Sequence, residues 1–407
     1  MSMPGSDAKA LPTSAPTSGP TSAGERRWGL AAAIASVTVF GLSIGQGAPL
    51  LPLLLEARGV DVTLNGLNAA AAFVGVIVGP LLAPRCVRRL GIRNFLLVCF
   101  GIDIALTLAL KAFDSIAAWF LLRALLGLVG SSVFTTGEAW INLLAGDKGR
   151  GRIIGVYAAA LSAGFGTGPL VLSLTGIQGW SPFLVNAAIT AMAVLPLLGA
   201  GDGAGGFGRE RGASPLTMFA RAPFIVGVVA IFGLFEAALM ALLPIWGVRI
   251  GLSVRMAAAT LTAVYFGSIV LQVLIGWLSD RFSRISALRM CAMVGLAGAV
   301  VLLSVPASPW VLFGLLFVWG GVASGIYPVV LSMAGDRFRG GDLVSVNAAM
   351  IIAYGLGGLV GPAMGGAAMD IRNPQGLLWL FVLLFAGLLA GICRAFGRGR
   401  GLFRTTG

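Results

Sequence analysis

Asp103, Glu138, Glu236 and Arg123 are charged side chains that lie well inside long apolar stretches of this 407-residue chain. At the centre of a hydrocarbon layer each costs several kcal/mol unless it faces protein or water, and insertion scales give ~2.5–3.5 kcal/mol. Residues kept there against such a cost are candidates for handling a proton or a ligand. Glu236 is the foremost, placed mid-stretch in Phe232-Gly-Leu-Phe-Glu236-Ala-Ala-Leu-Met. Its carboxyl can carry a proton, touch a substrate, or form a structural hydrogen bond or ion pair. The chain contains no histidine, so histidine-ligated metals, His-based triads and histidine proton relays are excluded. An acid is then the natural proton carrier, and no cofactor or metal centre is expected.

Arg123 and Glu138 share one stretch. At 100° per residue they stand about 60° apart around a helix, on one broad face but out of contact. Arg123 can bind an anionic group or orient the proton site, although Gly127 and Gly130 beside it suit close helix packing. Glu138 has two equal readings, a cavity role or pairing with loop arginines such as Arg85. Asp103 is expected to pack or to pair with a base. Gln46, Asn142, Trp319 and Tyr327 are possible cavity-lining residues, with Tyr265, Gln272, Asn347 and Tyr354 as further polar positions.

Positioning these groups requires membrane-spanning helices. A hydrocarbon core of ~30 Å takes roughly 20 apolar residues in helical form. Twelve stretches of about this length or longer fill residues 28–393. Composition agrees, with 57% hydrophobic and 11% charged residues, unlike a soluble domain. The charges fix the orientation. Of 28 basic residues, all but Arg58, Lys111, Arg123, Arg249, Arg255 and Arg372 fall in alternate gaps or at the two ends. Short basic loops resist translocation, so those gaps and both termini are expected in the cytoplasm. The net charge of +13 then reflects topology and contact with anionic lipid headgroups, not nucleic acid.

The chain divides into a disordered cytoplasmic tail (1–27), a six-helix bundle (28–199), a charged cytoplasmic linker (200–222), a second six-helix bundle (223–393) and a basic cytoplasmic tail (394–407). Within the linker, Ser214-Pro215 reads as a helix cap followed by proline at the first helical position. The two bundles echo each other. Pro84-Arg85-Cys-Val-Arg88 answers Asp280-Arg281-Phe-Ser-Arg284. Ala145-Gly-Asp147-Lys148 answers Ala334-Gly-Asp336-Arg337. Gly164-Phe-Gly-Thr-Gly168-Pro169 answers Gly357-Gly-Leu-Val-Gly361-Pro362. Repeats of this kind mark two bundles that rock about a central site.

Gly276 to Arg284 resembles the loop signature of the major facilitator superfamily, Gly-x-Leu-x-Asp-Arg-x-Gly-Arg, with Ser283 replacing the second glycine. The first-half copy departs further, with Pro84 where the acid belongs. Arg123-Ala-Leu-Leu-Gly127 resembles the fourth-helix arginine motif of the same superfamily. Glu138 together with Gly325-Ile-Tyr327-Pro328 is similar to a YcaD-like bacterial subgroup. The resemblance covers the chain apart from its first tail. It implies an all-α membrane protein of twelve transmembrane helices in two pseudo-symmetric six-helix bundles, working by alternating access as a single copy. It also implies a gating loop built from Asp280, Arg281, Arg284 and Arg85, and helix packing at Gly168, Pro169, Gly361 and Pro362. Asp280 could serve by capping the next helix or by pairing across the bundles.

Enzymatic readings fail on chemistry. Gly41-Leu-Ser43-Ile-Gly45 fits a nucleophile pattern but lies inside the first stretch with no histidine to activate the serine. No lysine stands in a Gly-Lys-Ser/Thr phosphate loop. The expectation is a secondary active transporter of the bacterial inner membrane, moving a small organic solute and coupled to protons, with efflux and uptake both open. Three internal acids against one base favour a neutral or cationic solute over a polyanion. The rival is a receptor or accessory protein that kept the fold without transport.

Overall fold

The computed structural model describes residues 23–145, 150–200, 214–304 and 308–396. Lipid offers no hydrogen-bond partners, so each apolar stretch satisfies its backbone internally as helix. Among the described residues twelve helices are long and apolar enough to cross a membrane. The first half comprises α1 (Ala23–Ala57), α2 (Val62–Leu90), α3 (Ile92–Ala112), α4 (Ile116–Ala145), α5 (Arg150–Thr175) and α6 (Ser181–Leu198). A short helix α7 (Pro215–Arg221) leads into the second half, with Ser214 at its N-cap as expected. The second half comprises α8 (Pro223–Arg249), α9 (Val254–Arg281), α10 (Arg284–Leu302), α11 (Pro309–Ala323) with α12 (Ile326–Arg337), α13 (Gly340–Ile371) and α14 (Gly376–Phe396).

Two boundaries differ from expectation. Residues 23–27, assigned to a tail, begin α1, and residues 394–396 complete α14. The rest of both tails, and residues 201–213 of the linker, lie outside the described residues. The tenth span is two helices instead of one. Pro328 has no N–H to donate to the Ser324 carbonyl, and the ladder breaks at Ser324 and Gly325.

The halves repeat one packing scheme. In the first, α1 packs on α5 and α6, α2 on α4, and α3 on α6. In the second, α8 packs on α13 and α14, α9 on α11, and α10 on α14. Between halves, α2 runs against α13 and α5 against α9, a pseudo-twofold pair of contacts. All spans alternate between one face holding the start of α1 and the end of α14, here the terminal face, and the opposite far face.

Two polar ties join the halves at the far face. Arg249 Nε donates to Glu56 Oε1 at 2.7 Å, linking α8 to α1. Asp370 on α13 accepts the backbone N–H groups of Val62 (3.3 Å) and Thr63 (2.8 Å) and the Thr63 hydroxyl (2.6 Å). Those N–H groups open α2 and have no intrahelical partner. Asp61, the N-cap residue, supplies no side-chain bond. The first half thus has one helix capped by a carboxylate of the second.

Candidate functional site

A cavity of about 610 Å³ lies between the halves. Its wall takes Asp103, Arg123 and Glu138 from the first half and Glu236 from the second. All four embedded charges therefore face one space. Neither glutamate, nor Asp103, nor Arg123 forms an ion pair among the described residues.

Helix geometry sets their depths. Arg123 stands near the far-face end of α4 and Glu138 near its terminal-face end, about 22 Å apart at 1.5 Å per residue. Arg123 reaches back to α1, where its Nη2 donates to the Ala48 carbonyl at 3.4 Å. That carbonyl is free because Pro52, four residues on, cannot donate to it. Glu138 accepts a hydrogen bond from the Tyr157 hydroxyl at 3.1 Å. It keeps exposed surface despite its depth because the cavity opens beside it. The expected alternative, a pair with Arg85, is not found. Arg85 is exposed near the terminal-face end of α2, and the Glu138 carboxyl turns to Tyr157 instead.

Glu236 stands mid-way along α8. It lines the cavity together with Tyr354 of α13, Tyr265 of α9 and Tyr327 of α12. The chain has 4 tyrosines. One of them, Tyr157, donates to Glu138, and the other three line the cavity with Glu236.

Asp103 packs within the first-half bundle, without the expected base among the described residues. It lines the cavity and accepts a hydrogen bond from Thr190 on α6 at 3.0 Å. Thr190 meets Ser43 at 2.8 Å, and Ser43 donates to Asn186 at 3.0 Å. Gln46 belongs to this network and not to the cavity wall. It accepts from Asn186 Nδ2 and donates to the Pro182 carbonyl at 3.1 Å, fully buried. Trp319 and Asn142 are likewise absent from this wall. Trp319 turns into the second-half core, donating to the Gly295 carbonyl at 2.8 Å. Asn142 donates to the Glu138 carbonyl one turn earlier at 2.8 Å. Tyr327 does line the cavity, as do Tyr265, Gln272 and Tyr354, whereas Asn347 does not.

Phenylalanines, which no sequence signal marks out, also shape the site. Phe134 stacks on Phe165 at 5.9 Å between centroids, and Phe165 on Tyr265 at 6.0 Å. A second arc runs from Phe73 to Tyr354 (6.1 Å), Phe232 (6.4 Å) and Tyr327 (5.7 Å). All seven rings line the cavity. With 23 phenylalanines spread over twelve spans, only the fold separates these from rings facing lipid.

The family model described as Major Facilitator Superfamily matches residues 31–265 and 225–400. The chain belongs to the major facilitator superfamily. It is 26% identical over 360 residues to the uncharacterised MFS-type transporter YfkF of Bacillus subtilis (strain 168), covering 86% of this chain and 91% of that one. An uncharacterised MFS-type transporter of Enterobacter sp. (strain 638) is 24% identical, covering 84% and 88%. The fold matches the crystal structure of the nucleoside transporter NupG with a TM-score of 0.73 at 13% identity, covering 91% of this chain and 98% of that one. A D-xylose-proton symporter gives 0.69 at 17% identity, covering 89% and 96%.

In this superfamily member the loop signature is an ionic tie inside one half. Arg284, opening α10, pairs with Asp280 and with Asp336 of α12 at 3.2 Å, and donates to Ser279 at 3.1 Å. Asp280 does not cap α10, because it still belongs to α9. Ser283 does, accepting from the Ser286 N–H at 3.0 Å. Nor does Asp280 pair across the halves here. Arg281 is exposed and lies 6.0 Å from the Trp277 ring. Gly168, before Pro169, faces the α1 backbone at Gly45 and Gln46, and Gly361, before Pro362, faces the Leu234 carbonyl of α8. A Cβ at either glycine would overlap main chain, so these helices can only meet through hydrogen.

Proposed function

We propose that this chain is a proton-coupled secondary transporter that carries a small organic solute across the bacterial inner membrane by alternating access. The terminal face is the cytoplasmic one, in keeping with its basic loops. One observation carries the reading. Glu138 from one half and Glu236 from the other face a single cavity at the interface about which the halves would rock. A carboxyl without an ion-pair partner in low dielectric needs a proton or a cationic ligand to offset its charge. Exchange between those occupants, followed by movement of one half against the other, couples a proton gradient to solute movement. In this reading the ties at Glu56–Arg249 and Asp370–Thr63 close the outer side, and the structure is the state closed to the outside. The cavity volume falls within the ~300–1,000 Å³ usual for small-molecule sites.

A thermal-shift screen of the detergent-purified protein tests this, with sugars, amino acids, siderophores, drugs and lipids at mildly acidic and mildly basic pH. Ligands of the folded state raise the melting temperature by mass action. The expected outcome is a hit whose strength depends on pH in the parent and loses that dependence in Glu236→Gln. A hit with the same pH dependence in Glu236→Gln would remove Glu236 from proton coupling.

A further inference from the structure

The cavity acids are held among aromatic rings, and that pairing names a substrate class. On α8, Phe232 stands one turn before Glu236 and so shares its face. Its ring meets Tyr327 at 5.7 Å and Tyr354 at 6.4 Å, with planes tilted by 32° and 37°. Tyr354 also meets Phe73 of the opposite half, tilted by 56°. Rings inclined in this way form a curved wall, not a flat stack. Across the cavity, Phe165 of the first half stacks on Tyr265 of the second, at an interplanar angle of 27°. Thus each pseudo-symmetric contact between the halves, α2 with α13 and α5 with α9, contributes an aromatic bridge to the same space.

The charges in that space are uneven. Glu138 has the Tyr157 hydroxyl beside it, and neither it nor Glu236 forms an ion pair among the described residues. The single base on the wall, Arg123, is held towards the far face by the Ala48 carbonyl, about 22 Å along α4 from Glu138. Ring faces carry negative quadrupole potential and attract cations, most strongly where water is displaced. Carboxylates and ring faces act on the same charge sign. On this wall the amide side chains are Asn186 and Gln272. Asn186 is engaged by Ser43, and Gln272 donates to Ser268 at 2.7 Å.

We infer that the cavity binds a monovalent organic cation with an aromatic or branched alkyl body, seated between the Phe232–Tyr327–Tyr354 wall and the Phe165–Tyr265 stack with its charge towards Glu236. This rests on the transport reading above and specifies its substrate. The cation and a proton then compete to offset the same carboxyl.

The test is calorimetric binding to the purified full chain with three probes of matched size. These are benzyltrimethylammonium, the neutral 2,2-dimethyl-3-phenylpropan-1-ol and the anionic 3-phenylpropionate. The expected result is binding of the cation at least tenfold tighter than of either other probe. Binding should weaken at least tenfold in Glu236→Gln and about threefold to thirtyfold in Phe232→Leu, the range for one well-placed ring. Phe165→Leu serves as a second wall variant, and each variant is scored only after eluting as a single species with a cooperative melt. Equal or tighter binding of the neutral or anionic probe overturns the inference, as does cation binding indifferent to all three substitutions. Proteoliposome flux separates the two claims. Gradient-driven flux of a neutral solute with no cation binding sinks the cation site and leaves the transporter. Cation binding with no flux under any gradient sinks the transporter and leaves the site.

Discussion

Thr190 holds Asp103 by one hydrogen bond in a buried cluster that includes Ser43, Asn186 and Gln46. Removing the donor leaves a buried carboxyl oxygen short of a partner, which costs about 1–3 kcal/mol. Thr190→Val should therefore lower the thermal midpoint of the purified protein, and Thr190→Ser should restore most of it. A Thr190→Val protein that melts with the parent would show that this bond does not hold Asp103. The four embedded charges were legible from the sequence because lipid makes any kept charge conspicuous. Their shared destination was not, since α3 gives no periodic sign that Asp103 turns to the cavity. Gln46 illustrates the converse. An amide in the first span looks like a wall residue, yet Asn186, far away in the chain, draws it into the bundle. The aromatic wall was invisible for a different reason: phenylalanine suits lipid, core and cavity alike.

Helices carry the next level of organisation. The spans could be read from hydropathy because a bilayer imposes one length on all of them. The break in the tenth span follows from Pro328, whose missing N–H leaves the Ser324 carbonyl without its helical partner. Less accessible still was the cap on α2. Asp370 lies 307 residues beyond Thr63, and no local pattern joins them. Its carboxylate answers orphan donors and the positive end of the α2 dipole together. Loss of a capping side chain costs about 0.5–2 kcal/mol. If the tie belongs to the state closed at the far face, Asp370→Ala should shift the population towards opening there by about threefold to thirtyfold, at 1.4 kcal/mol per factor of ten. The readout is labelling, from the far face, of an introduced Ala241→Cys on the cavity wall by a membrane-impermeant thiol reagent, in a background lacking Cys86, Cys99, Cys291 and Cys393. The conservative Thr63→Ser keeps a hydroxyl and serves as the folding control. Unchanged labelling upon Asp370→Ala would mean that the cap stabilises α2 without gating anything.

At the scale of the whole molecule, two bundles of one design meet along α2–α13 and α5–α9 and enclose a space that neither has alone. The internal echoes in the sequence made this architecture legible, because a repeated Gly-Pro helix and a repeated loop imply a repeated packing scheme. The copies differ most plainly in where their acids stand. Glu236 stands on α8, whereas the acids of the first half stand on α3 and α4, so the pseudo-twofold does not map one acid onto another. Each half thus brings its own acid to the shared cavity. The most direct test is accumulation in proteoliposomes under an imposed pH gradient, using the cation that binds most tightly to the purified protein. The parent should accumulate it saturably, the gradient should drive it, and Glu236→Gln should lose at least nine-tenths of that drive while retaining exchange of solute across the membrane. Flux that rises linearly with concentration, or drive that survives intact in Glu236→Gln, would contradict a proton-coupled carrier with Glu236 at its centre.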